Sequence, residues 1–301
     1  MSFDLDKKLV VGISSRALFD LEEENEIFER EGLDAYEEYQ IEHEKDVLKP
    51  GTAYPLVKAL HNLNNGDDRL TEIIIMSKNS ANTSLRIFNS IEQYHLDVSR
   101  AALVGGASIS KYLSAFRTDL FLSADEYDVQ EAINANIAAG IICTHEKLPI
   151  DSEETIKQIR IAFDGDSVIF SDESEKIYQA KGLTAFAEYE RENAQKLLLE
   201  GPFAKLLKTI SIVQSKFAGK EIPIRTALVT SRNAPAHERV IRTLRAWDVR
   251  IDEAFFLGGI QKSEVLKAFG AHIFFDDQAV HTEPASELVP SARVPYKDKP
   301  M

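Results

Sequence analysis

Residues 160–172 read RIAFDGDSVIFSD, and residues 8–20 read KLVVGISSRALFD. Each opens with a short apolar run rich in strand formers, breaks at small or polar residues and turns apolar again. The likeness continues outward from this pair. EIFEREGLDAYEEY (26–39) resembles EKIYQAKGLTAFAEY (175–189), and KPGTAYPLVKAL (49–60) resembles LEGPFAKLLKTI (199–210). Residues 72–106 resemble 225–259, and 108–129 resemble 260–280. Five consecutive blocks keep their order at an offset near 150. Chance similarity between amphipathic helices does not hold register for that long, so the spacing predicts a tandem duplication.

Within the second copy the apolar runs are IRIAF, TALVT, AFFLG and HIFF, separated by helical patterns such as HERVIRTLRAWDV and SEVLKAF. Strands apolar on both faces that alternate with helices belong to a parallel sheet covered on both sides. The expected fold is therefore α/β: two tandem Rossmann-like units with parallel sheets, each with a small helical cap. The units are expected at residues 1–150 and 151–301, with the second cap at about 173–217, over the sheet edge where ligands bind in open α/β folds. ICTHEKLPIDSEETIKQ, around residue 150, is the expected boundary. The tail PSARVPYKDKPM reads as a last extended segment.

Composition narrows the function. The chain of 301 residues is 44% hydrophobic and 28% charged, with a formal net charge of −14. Such a charge repels a phosphate backbone, and no dense basic patch offsets it, so a nucleic acid polymer is not an expected partner. No apolar run approaches membrane-spanning length, so no membrane is expected either. The single cysteine, Cys143, excludes an internal disulfide and suits a reducing cytoplasmic compartment.

The polar residues of the second copy gather at strand ends. Asp164, Gly165 and Asp166 end the first run, and Thr230 and Ser231 end the second, followed by Arg232 and Asn233. Gly258 and Gly259 lead from the third to Lys262, and Asp276 and Asp277 end the fourth. In a parallel sheet these ends share one edge. Carboxylates held together at a dry edge raise one another's pKa, and a hard divalent cation removes that penalty. Mg²⁺ prefers a few carboxylate oxygens together with waters and a substrate phosphate. Asp164 and Asp276 can supply carboxylates, and Asp166 its backbone carbonyl. Lys262 and a hydroxyl from Thr230 or Ser231 can neutralise phosphoryl oxygens. The chemistry expected is attack of Asp164 on phosphorus, with Asp166 as general acid and then base.

At these residues the sequence resembles the haloacid-dehalogenase-like phosphohydrolases, whose four motifs match FDGDSVIF, VTS, Lys262 and FFDD. FDGDSVIFSDESE, ALVTSRNAPAHERVIRTLRAW and HIFFDDQAVH, with SSRALF near the start, are similar to the type I cytosolic 5′-nucleotidases over nearly the whole chain. The resemblance implies a Mg²⁺-dependent hydrolase of nucleoside 5′-monophosphates. By position it makes Asp164 the nucleophile, Asp166 the acid/base, Thr230 the phosphoryl holder with Ser231 beside it, and Lys262 the charge stabiliser. It makes Asp276 a metal ligand with Asp277 beside it, leaving open which of the two touches the ion. It is also compatible with a self-associated chain, although no interface signature stands out. Two other readings stand beside it: a phosphatase of another small phosphomonoester such as a sugar phosphate, and a non-catalytic nucleotide sensor.

The first copy lacks this set. Opposite Asp164 and Asp166 stand Ile13 and Ser15, or Gly12 and Ser14 one register away. Thr230 and Ser231 face Met76 and Ser77, Lys262 faces Ile109, and Asp276 and Asp277 face Ser123 and Ala124. The first copy is therefore expected not to hydrolyse by this route. Its favoured role is scaffold; the alternative is a binding or regulatory site built on Ser14, Ser15, Arg16, Lys78 and Asn79.

Overall fold

A computed structural model describes residues 5, 8–64, 69–143, 156–217 and 221–297. Most of the expected boundary near residue 150 lies outside the described residues. The first half runs β1 (Leu9–Ile13), α1 (Ser15–Leu18), α2 (Glu22–Glu31), α3 (Leu33–Glu42), α4 (Tyr54–His61), β2 (Thr71–Ser77), α5 (Leu85–Gln93), β3 (Arg100–Leu103), α6 (Ser110–Ala115), β4 (Leu120–Ser123), α7 (Glu126–Asn134) and β5 (Ala138–Ile142). The second half repeats the pattern with β6 (Ile159–Phe163), α8 (Glu173–Glu192), α9 (Ala204–Ser215), β7 (Ile224–Thr230), α10 (His237–Ala246), β8 (Glu253–Phe256), α11 (Ser263–Phe269), β9 (Ile273–Asp276), α12 (Ala279–Ser286) and β10 (Ser291–Arg293).

The strands form one continuous sheet in the order β3-β2-β1-β4-β5-β10-β9-β6-β7-β8. Each half contributes the same internal order, read outward from the middle. Every pairing within a half is parallel, and the halves join through the antiparallel pair β5–β10. The two expected parallel sheets are joined edge to edge: each half has a fifth strand, too short or too small-residued to stand out, and those two strands fuse the sheets. The core is fused as well. Buried Leu9, Val11, Phe121, Phe163, Phe203 and Phe275 belong to one cluster that spans both halves. The antiparallel seam places the carboxyl ends of the first-half strands and those of the second-half strands on opposite edges of the sheet.

Hydrogen bonds across the sheet set the correspondence between halves. The Ser14 N–H donates to the carbonyl of Leu122, as the Asp164 N–H donates to the carbonyl of Phe275, both at 2.8 Å. Ser14 therefore stands at the position of Asp164, and Arg16 at that of Asp166, in place of the expected Ile13 and Ser15 or Gly12 and Ser14. Ser77, at the end of β2, stands at the position of Thr230, at the end of β7, rather than Met76. Similarity of apolar runs does not resolve a slip of one residue; the ladder does.

The helical stretch 173–217 comprises a cap and a crossover helix. α9 buries Leu206, Leu207, Ile210 and Val213 and packs on the sheet as a crossover helix, so only α8 is cap. α8 is two short helices meeting at Gly182, with φ +80°, and α2 and α3 meet likewise at Gly32, with φ +91°. Both elbows need the left-handed backbone that glycine adopts without steric penalty.

Candidate active site

Four strand ends of the second half meet at one edge. Asp164 follows β6 and is 6% exposed, Thr230 ends β7 at 1%, Asp276 ends β9 at 0%, and Lys262 precedes α11 at 2%. Beyond β6 the chain makes one wide helical turn, Gly165–Ile169, with Ser167 at φ +64°. Gly165 lets this turn press against β7: a Cβ there would lie 3.2 Å from the Thr230 hydroxyl. The Thr230 hydroxyl also accepts from the Arg232 N–H at 3.2 Å.

Lys262 Nζ sits between two carboxylates, 2.7 Å from Asp164 Oδ1 and 2.6 Å from Asp276 Oδ2. Asp164, Asp276 and Asp277 each offer an oxygen, and these oxygens all lie within 4.8 Å of one another. Three buried acids are thus served by one ammonium, and the charges are strongly perturbed. Burial pushes the Asp164 carboxyl up to about 7, with Lys262 opposing and Asp276 reinforcing the rise. Burial likewise raises Asp276, against Lys262, and lifts Asp277 to about 8 with help from Asp164 and Asp276. Burial works against the Lys262 ammonium, but Asp164 and Asp276 outweigh it and hold the group above its ordinary value. Asp277 Oδ1 is buried and has no hydrogen-bond partner. An oxygen-rich cluster with one orphaned carboxylate oxygen and excess negative charge matches the donor set of a hard divalent cation such as Mg²⁺.

Asp166 stands one step outside the cluster. Arg232 grips it with two bonds, Nε to Oδ2 at 2.7 Å and Nη2 to Oδ1 at 2.6 Å. The other arm of Arg232 reaches the fully buried Glu190 of α8 at 2.6 Å. Glu190 also accepts from Arg239 at 3.0 Å and from the Ser174 hydroxyl at 2.7 Å. Arg232 thereby ties Asp166 to the cap. Ser231 and Asn233 are exposed, and Asn233 packs against Gly258.

Two contributors had no clear mark in the sequence. Glu190 lies in a cap helix dense with acids, where nothing singles out one of them. Tyr296, beyond β10, donates its hydroxyl to Asp277 Oδ2, while its carbonyl accepts from Gln130 Nε2 of α7 at 3.0 Å. The first half thus braces a carboxylate of the second, a link that only the folded sheet creates.

Among the described residues no helix is long and apolar enough to cross a membrane. The human protein named cytosolic 5′-nucleotidase 1B is 40% identical over 292 residues, covering 93% of this chain and 47% of its own length. The chain therefore spans about half the length of that relative. A solved structure described as "Structure of Pnkp1/Rnl/Hen1 complex" aligns over 99% of each chain at 12% identity, with a TM-score of 0.31. The family model described as 5′-nucleotidase matches residues 1–300, and the chain belongs to the 5′-nucleotidase family.

Proposed function

We propose that the chain is a cytosolic, Mg²⁺-dependent 5′-nucleotidase that converts nucleoside 5′-monophosphates to nucleoside and phosphate. The observation that carries this reading is the buried cluster of Asp164, Asp276 and Asp277 around Lys262, at converging strand ends of a chain in this family. Asp164, Asp276 and Asp277 would hold the ion, with the Asp166 carbonyl as a further donor. Bound there, Mg²⁺ would offset the surplus carboxylate charge and polarise the phosphoryl oxygens.

The protein's own groups then divide the work. An Asp164 oxygen attacks phosphorus, the bond from phosphorus to the 5′-oxygen breaks, and an aspartyl-phosphate forms. Asp166 gives its proton to the departing 5′-oxygen. It then takes a proton from water, whose oxygen attacks phosphorus and frees Asp164 and phosphate. Lys262 favours the ionised form of Asp164 and aims it, and the Thr230 hydroxyl donates to a phosphoryl oxygen.

Phosphate release from a panel of nucleoside monophosphates and sugar phosphates tests the reading. Mg²⁺-dependent turnover of nucleotides is expected, falling by roughly 10⁴-fold or more in Asp164→Asn and in excess EDTA. Turnover of sugar phosphates alone would keep the site and overturn the substrate. Metal-dependent nucleotide binding without turnover would make the chain a sensor.

A further inference from the structure

The carboxyl edge of the first half has the geometry of a phosphoryl site with its chemistry inverted. At the equivalents of Asp164, Asp166, Asp276 and Asp277 stand Ser14, Arg16, Ser123 and Ala124, so four acids become none and one cation appears. Ser231 is matched by Lys78, Arg232 by Asn79, and Lys262 by Ile109. Asp125 and Asp128 lie beside Lys78 at 3.0 and 3.1 Å and offset it. Among the described residues Arg16 pairs with the half-exposed Glu22 at 3.0 Å, a pair weak enough to yield to a ligand.

Unused hydrogen-bonding groups collect at this edge. Gln40 of α3 is 2% exposed, and neither its side-chain nitrogen nor its oxygen has a hydrogen-bond partner. Asn79 Nδ2 and Arg16 Nε are likewise buried and unbonded. These groups surround the hydroxyl of Tyr36, which lies close enough to the Gln40 and Asn79 side chains to interact with both, and Arg16 acts on it electrostatically. Below them, the hydroxyls of Ser15 and Ser77 meet at 3.0 Å, and Ser77 Oγ accepts from the Asn79 N–H at 3.2 Å. In the second half the matching cap residue, Glu190, is fully paired. Buried donors left open are costly unless a ligand or water completes them.

We propose that this edge is a second ligand site, which binds the phosphate group of a small phosphomonoester, or free phosphate, without a metal ion and without hydrolysing it. Arg16 supplies the charge-assisted contact, and Asn79, Ser14, Ser15 and Ser77 supply neutral donors. No carboxylate occupies the nucleophile position, so no phosphoryl transfer follows. The inference rests on the proposed function in one respect, that these strand ends form a phosphoryl site in the second half.

Calorimetric titration of the full chain in EDTA tests it, with adenosine 5′-monophosphate, inorganic phosphate and adenosine as separate probes. Without the ion, the carboxylates of the second edge repel phosphate, so binding in EDTA reports the first edge. The expected result is about one phosphate-bearing probe per chain and no adenosine. Arg16→Gln is expected to weaken this binding roughly 10- to 100-fold, from the loss of one charge-assisted bond. Asn79→Asp is expected to weaken it too, and Asp164→Asn to leave it intact. Tighter binding of the nucleotide than of phosphate would identify an ester as the ligand; equal binding would identify the free oxyanion. No binding in EDTA, binding of adenosine as tight as that of the nucleotide, or binding unchanged in Arg16→Gln would overturn the proposal. Arg16→Gln should retain Mg²⁺-dependent phosphate release, which certifies its fold. Failure of the proposed function would appear separately, as a wild-type chain without turnover whatever it binds in EDTA.

Discussion

The two halves agree along the sheet's flanks, caps and amino edge and part at their carboxyl edges. On the sheet's flanks the same cross-strand ion pair occurs twice with its signs exchanged: Glu72 of β2 with Arg100 of β3, and Arg225 of β7 with Glu253 of β8. In the caps, Arg86 pairs with Glu24 in α2, while its counterpart Arg239 pairs with Glu190, on the other arm of the cap hairpin. At the amino edge the first strand of each half donates a backbone N–H to a side chain: Val10 to Asp119 Oδ2 at 3.0 Å, Arg160 to His272 Nδ1 at 2.9 Å. In each case the partners changed and the bond survived, because a buried polar group without its partner costs about 1–3 kcal/mol. At the carboxyl edges nothing equivalent survived. Asp164, Lys262 and Asp276 on one side stand against Ser14, Ile109 and Ser123 on the other.

Lys262→Met breaks the comparison hardest after Asp164→Asn. It leaves Asp164 and Asp276 buried around no cation, and a destabilisation of about 3–5 kcal/mol is expected in urea unfolding without metal. The counterpart Ile109→Met should cost less than about 1.5 kcal/mol, since it conserves volume in an apolar setting. Among the cap pairs, Arg86→Met strands Glu24 and should cost about 3–5 kcal/mol. Arg239→Met should cost nearer 1–3 kcal/mol, because Glu190 keeps Arg232 and Ser174. Equal losses would show that the two caps are held by something other than these pairs.

Tyr296→Phe removes the donor to Asp277 while leaving its ring in place. Affinity for Mn²⁺, followed by electron paramagnetic resonance, should fall roughly 10-fold, with little change in the cooperative unfolding of the chain. The smallest effect concerns His272. Burial, reinforced by Arg160, holds its imidazole down at about 4 against an ordinary 6.5. The unfolded chain takes up a proton in that interval that the folded chain refuses. The contribution to stability is therefore complete above about pH 6.5 and is lost as the pH falls toward 4. His272→Asn, which keeps an acceptor without titrating, should flatten the stability profile across that window in chemical unfolding.

Fold class, duplication and the acids at the strand ends were legible because each rests on local signals: an apolar run, a glycine, a charge at its end. β5 and β10 were not. AAGII carries little strand signal beyond its two isoleucines, and β10 is only three residues long. Their pairing is a long-range event with no local mark, so the joining of the two sheets was not legible. Register escaped for a related reason: Ser14 and Ser15 are adjacent and alike, and only the bond to Leu122 decides which of them matches Asp164. The gathering of Asp164, Lys262, Asp276 and Asp277 was legible from polar residues at strand ends, whereas Tyr296 reaches Asp277, and Glu190 reaches Arg232, through tertiary contacts.

The antiparallel contact between β5 and β10 has the form that two copies of one molecule make about a twofold axis, each offering the same last strand to the other. A solitary copy of the half would end in a bare β5, an edge that invites pairing with whatever strand is near. The middle of this sheet thus has the symmetry of a homodimer interface, with both protomers written into a single polypeptide. Fusion holds the two in fixed one-to-one proportion and frees each to diverge, a liberty that a true homodimer, encoded once, does not have. One protomer could then lose its acids while its twin retained them.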